Sequence, residues 1–210
     1  MILRVRKQTK GLLASLKVAF ALALVATLST TPASQTLAQS EPPPAPTNLI
    51  LTLNTVCVAA GGDPARAAVL ATEAGYSPVP ETMVPRMRNA TERAGFMRSS
   101  ATDITFVMTG RMTRRVGRDT VILDFCGVSA RPTDHRALDA TLRRMMGFTP
   151  IRAAGLEAYA WLQTPEGRAP SRSLSDEQFV AMAATGQMRL VALDRSGPGS
   201  TLIYFRPRLD

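Results

Sequence analysis

The stretch ITFVMTGRMTRRVGRDTVILDFC, residues 104–126, decides how the rest of the chain is read. Ile104, Phe106 and Met108 alternate with Thr105, Val107 and Thr109. Val121, Leu123 and Phe125 alternate with Ile122, Asp124 and Cys126. A period of two belongs to strands, because successive side chains of an extended backbone point to opposite faces. Between the two runs lies the Arg-rich segment Gly110–Asp119, in which Gly117 suits a turn that requires positive φ. The reading is a hairpin. Cys126 shares its parity with Asp124 and not with the apolar residues. A helix laid on the apolar face alone would leave Cys126 pointing away from it. A bulge at Gly127, or helices on both faces, would remove that conflict.

Upstream, Ile50, Leu53 and Cys57 fall on one helical face, which predicts a helix over 48–60 that ends at Gly61-Gly62. Asp63-Pro64 restarts a helix with an N-cap and a proline in the first turn, and Gly75 closes it. Pro78, Pro80 and Pro85 then argue against regular structure until about Thr91. Downstream, Leu138, Leu142, Met145 and Met146 mark a helix over 133–146, with Asp139 and Arg143 paired one turn apart. Residues 156–162 alternate as a strand, with Tyr159 and Trp161 on one side. Ser175-x-x-Gln178 is a capping box that opens a short helix. Residues 188–193 and 201–206 form a last hairpin around Gly197-Pro198-Gly199. The expected fold class is α+β: an antiparallel sheet of about five strands packed with three to four helices. Gly75-Tyr76-Ser77-Pro78-Val79 and Gly147-Phe148-Thr149-Pro150-Ile151 echo one another. Helix-exit chemistry alone accounts for the echo, with Gly after the last turn and then an apolar residue and Pro; a weak duplication is the other reading.

Charge is unevenly placed along the 210 residues. The first 38 carry Arg4, Arg6, Lys7, Lys10 and Lys17 and no acid, while all 16 Asp and Glu lie beyond them. A basic start, the apolar run 18–28, helix-breaking Ser29–Pro32 and small residues at Thr36 and Ala38 have the form of a secretory signal peptide. The expected organisation is a signal peptide over 1–38, a Pro-rich tether over 39–47 and one domain over 48–210. Cleavage is expected after Ala38, with Ala33 as the second site and an uncleaved inner-membrane anchor as the alternative. The expected location is therefore periplasmic or secreted. In an oxidising compartment the two cysteines, Cys57 and Cys126, read as a disulfide; two separate buried thiols are the alternative.

The remaining chemistry is sparse. His135 is the only histidine, so a zinc site lacks ligands, and neither a Walker loop nor an H-E-x-x-H motif occurs. No metal or cofactor is expected. Asp124 and Glu157, each within a strand, are the candidates for carboxylate catalysis, with an Arg-paired strand charge as the plainer reading. Residues 84–118 concentrate cations: Arg86, Arg88, Arg93, Arg98, Arg111, Arg114, Arg115 and Arg118, against Glu92 and Asp103. Arg111, Arg114, Arg115 and Arg118 form the candidate anion-binding set, since guanidinium forks suit phosphate and carboxylate. Nucleic acid is not expected, because export removes that partner and no aromatic residues interleave the basic run. The function expected is a non-enzymatic envelope or periplasmic binding module for an envelope protein or an anionic envelope component. The alternatives are a wall- or lipid-directed hydrolase using carboxylates and an anchored accessory subunit of an inner-membrane complex.

Overall fold

A computed structural model describes residues 45–87, 89–153, 156–195 and 199–210. The expected leader, the start of the tether and the tip of the last hairpin lie outside these residues. The helix α1 (Ala45–Thr52) continues as a π-helical turn over Leu53–Val58, which keeps Leu53, Val56 and Cys57 all buried. It therefore includes Ala45–Thr47, which the sequence reading places in the tether. Asp63 caps α2 (Pro64–Glu73) by accepting a hydrogen bond from the Arg66 amide at 2.9 Å, with Pro64 at the first helical position. The helix α3 (His135–Met146) buries Leu138, Leu142 and Met146 and ends at Gly147, whose φ is 74°. The helix α4 (Asp176–Ala184) opens with the capping box of Ser175 and Gln178.

The sheet corrects the expected fold class. The described residues contain nine strands in one sheet, not about five, and the architecture is a mostly antiparallel sheet with four α-helices laid on it. The strands are β1 (Ser77–Val79), β2 (Ala90–Ser99), β3 (Ile104–Val116), β4 (Asp119–Arg131), β5 (Ile151–Ala153), β6 (Leu156–Thr164), β7 (Gly167–Pro170), β8 (Met188–Asp194) and β9 (Thr201–Leu209). Their order is β1-β2-β3-β4-β9-β8-β6-β5, with β7 paired to β6. The central hairpin is longer than the sequence pattern suggests. Most of the Arg-rich segment is strand, and the turn is Gly117-Arg118, with Gly117 at φ 59°.

The Cys126 conflict resolves through helices on both faces. β4 is buried at every position from Val121 to Val128, as a central strand between two layers must be. One face carries Val107, Cys126, Val128, Tyr204, Tyr159 and Trp161 against α1, the π turn and α3. The opposite face carries Leu123, Phe125, Leu190 and Phe205 against Phe179 and Ala183 of α4. Cys57 and Cys126 are joined by a disulfide across the first layer, with Cα atoms 5.2 Å apart and both residues fully buried. Trp161 is core, at 1% exposure. The two echo segments hold equivalent places. Each leaves a helix through a left-handed glycine, and each leads into an edge strand, β1 or β5, at opposite ends of the sheet.

Candidate functional site

The β3–β4 hairpin presents arginines to both faces, and their surroundings differ. On the Cys126 face, Asp124 stands beside Arg111 of β3 and Arg206 of β9, its partners in register. Its carboxylate is fully buried and accepts from Arg111 Nε at 2.9 Å, Arg206 Nη2 at 2.9 Å and Arg208 Nε at 3.1 Å. The three arginine side chains keep 31%, 27% and 34% exposure, so each reaches from the buried acid toward solvent. Arg111 also donates to Glu92 at 2.8 Å, and Asp63 lies 3.7 Å from Arg206. Burial alone would raise the Asp124 pKa. The hydrogen bonds from Arg206, Arg111 and Arg208 outweigh it and hold the carboxyl below its ordinary value. Asp124 in turn raises the pKa of Arg111. Gly62 seals this end of the layer. Its φ is 81°, and a Cβ there would lie 2.9 Å from Arg206 Cβ.

On the opposite face three adjoining clefts follow β3. The first, about 530 Å³, opens where β2 ends, since the last β2–β3 pair is Ala90 with Met112. Residues from both faces of β3 reach that free edge. Arg114 and Arg115 line the cleft with Arg86, Met87 and Asp194. The second, about 280 Å³, shares Arg86, Met87 and Asp194 with the first and adds Met108, Ile203 and Arg131. The third, about 220 Å³, shares Pro85, Ser129 and Arg131 with the second and ends on Phe106, Ile104 and Met83. Among the described residues, Arg86, Arg114, Arg115 and Arg131 have no carboxylate partner.

The four arginines singled out from sequence therefore part company. Arg111 is bonded to Asp124 and Glu92 on one face. Arg114 and Arg115 line the first cleft. Arg118, in the turn, lies with Asp119, Asp176 and Glu177 around a separate cleft of about 460 Å³. Sequence reasoning omitted Arg206 and Arg208 from the Asp124 cluster and Arg131 from the clefts. The i, i+2 spacing of Arg206 and Arg208 was the available signal, but only the β4–β9 register joins them to Asp124.

The other candidates are also placed. Glu157 is exposed on β6, opposite Arg152 of β5. His135 opens α3, and its Nδ1 is hydrogen-bonded to Ser200 Oγ. Ser200 is fully buried, which closes that hydroxyl to a substrate. Asp134 caps α3 by accepting from the Arg136 and Ala137 amides at 2.9 and 3.0 Å. Among the described residues no group of three His, Cys, Asp or Glu side chains could hold a metal ion, and no helix is long and apolar enough to cross a membrane. No family model, no curated protein and no solved structure matches the chain.

Proposed function

We propose that this protein is an exported, disulfide-stapled binding module of the bacterial envelope, and that it holds an anionic envelope component at the cleft formed by Arg86, Arg114 and Arg115. The observation that carries the reading is the contrast in pairing. Asp124 occupies Arg111, Arg206 and Arg208, whereas these three face an open cleft and, among the described residues, have no carboxylate partner. Unpaired guanidinium forks that share one cleft offer an anion bidentate hydrogen bonds and a favourable field. The buried disulfide fits an oxidising compartment and agrees with the leader-like first 38 residues. Carboxylate catalysis draws no support from Asp124, since an acid held ionised by three guanidiniums has no proton to donate to a leaving group.

Inorganic pyrophosphate is the direct probe. Titrated into the exported protein and followed by NMR of the arginine Nε–Hε groups, it should move the signals of Arg86, Arg114 and Arg115 saturably. Binding should weaken as salt rises. The Arg111, Arg206 and Arg208 signals should stay in place. Shifts confined to those last three, or no saturation at millimolar pyrophosphate, overturn the assignment. The export half of the reading predicts a protein that begins at Gln39 in the osmotic-shock fluid, with no thiol open to alkylation. A full-length cytosolic protein with two free thiols contradicts it.

A further inference from the structure

Resting on that anion-site reading, we infer that the three clefts form one groove that seats a single anionic lipid, with its phosphate at Arg86, Arg114 and Arg115 and its acyl chain along β3. One face of β3 supplies the track. Ile104, Phe106, Met108, Met112 and Arg114 share a parity and each lines one of the clefts. The track is apolar until it ends in arginine. From Ile104 to Arg114 an extended strand spans about 33 Å. One acyl chain occupies half of a bilayer's hydrocarbon core, about 15 Å, so chain and headgroup both fit along it.

Two further observations favour a lipid over an acidic peptide. Met83 and Ile104 lie together at the far cleft, 54% and 48% exposed, and are two of the four large apolar side chains that stand exposed among the described residues. An amphiphile would cover them, whereas an acidic peptide gains little from them. Beside the polar Ser129, Arg131 and Thr201, the lining of the middle and far clefts carries a continuous apolar part. Met87, Met108, Ile203 and Phe106 carry no hydrogen-bonding side chain, and methionine adapts to an irregular apolar ligand. The charges fit the head. Among the described lining residues Arg86, Arg114, Arg115 and Arg131 stand against one acid, Asp194, so the groove favours an anion over a neutral or zwitterionic headgroup.

The test uses exported protein labelled at the methionine methyl groups and monomeric lysophosphatidylglycerol of increasing chain length. Glycerol phosphate (a phosphate without a chain) and lysophosphatidylcholine (a zwitterionic head on the same chain) serve as comparisons. Burying a methylene fully strengthens binding roughly four-fold, and an open groove buries each only in part. From octanoyl to tetradecanoyl chains the affinity should therefore rise at least about ten-fold. The Met83, Met87 and Met108 methyl signals should shift. Lysophosphatidylcholine should bind at least about ten-fold more weakly, because its choline cation offsets the phosphate charge in a cationic groove, and so should the R86S/R114S/R115S variant, which loses charge-assisted bonds to the phosphate. The M83S/I104S variant changes only exposed side chains and should flatten the chain-length dependence while glycerol phosphate binding persists. Glycerol phosphate binding with no chain-length dependence overturns the lipid and leaves the anion site standing. Equal binding of the two lysolipids overturns it as well, and so does an oligoglutamate peptide that shifts the same methyls at lower concentration. If nothing binds, both readings fail together.

Discussion

The same hairpin carries two arginine-rich regions that were built to opposite specifications. On the disulfide face, one buried carboxylate gathers three guanidiniums, and a glycine that tolerates no Cβ closes over them. Around the clefts at the β3 edge and on the other face, four arginines stand against Asp194 and, among the described residues, form no ion pair with a carboxylate. Arginine is the same donor in both. What differs is whether an acid occupies the matching register position on the neighbouring strand. A buried ion cluster tolerates little change, because removing one member leaves the others desolvated and unpaired. An unpaired exposed cluster contributes little to folding and remains available to a ligand. Stability and function should therefore separate by face, and that separation can be broken experimentally.

The largest effect belongs to the disulfide, two residues from Asp124 on the same face. The bridge spans a sequence separation of 69, for which chain entropy gives about 4 kcal/mol. The Cys57→Ala/Cys126→Ala variant should lose about that much by urea denaturation. Pyrophosphate binding on the other face should be unchanged below the new transition. If binding falls in proportion to stability, the two faces are one cooperative site and the contrast fails.

Asp124→Asn comes next. Loss of a buried ion partner costs up to about 5 kcal/mol, but these arginine side chains are about a third exposed and water recovers part of that, so about 2–3 kcal/mol is expected. The pH dependence gives a sharper signature. The folded pKa of Asp124 lies below its unfolded value of about 3.9. Its contribution is therefore complete above that value and disappears as pH falls through the lower, folded one. The wild-type protein should lose stability below about pH 4 more steeply than the Asn variant, because only the wild type takes up this proton on unfolding. Parallel acid limbs for the two proteins would remove Asp124 from the centre of the cluster.

How much of this contrast can be read from residues follows from what is local. The strands that alternate clearly, β3, β4, β6, β8 and β9, are legible, as are the caps at Asp63 and Ser175 and the exits at Gly75 and Gly147. β1, β5 and β7 are short segments at or near the sheet margin, where neighbours rather than propensity hold them in place. β2 hides its period in ATERAGFMRS, because a register shift between Thr91 and Ala94 breaks the alternation and Glu92 takes a φ of 53°. Arg111, Arg114 and Arg115 look like loop residues for a related reason. Arg111 faces the covered side of the sheet, a position where an apolar residue is expected, and it stands there only because Asp124 is opposite. The parity of Cys126 with Asp124 did carry the right information. Of the two resolutions it allowed, a bulge or helices on both faces, the second is the one found, whereas the number of strands was not legible from it.

The smallest expected change tests the contrast from the other side. In R86S/R114S/R115S, three exposed or half-exposed cations are removed and no described carboxylate loses a partner. Surface substitutions of this kind change stability little, so the melting temperature should stay within about 2 °C of the wild type. A rise is more consistent with the charge pattern than a fall, because like charges around one cleft repel and dilution of that repulsion favours the compact state. The direction should depend on salt. At low ionic strength the variant should gain on the wild type, and by about 1 M, where screening acts over about 3 Å, the difference should vanish. A clear loss of stability at every salt concentration would mean that these arginines hold the fold as Arg111 and Arg206 do, and that the open clefts are structural joints rather than a place for a ligand.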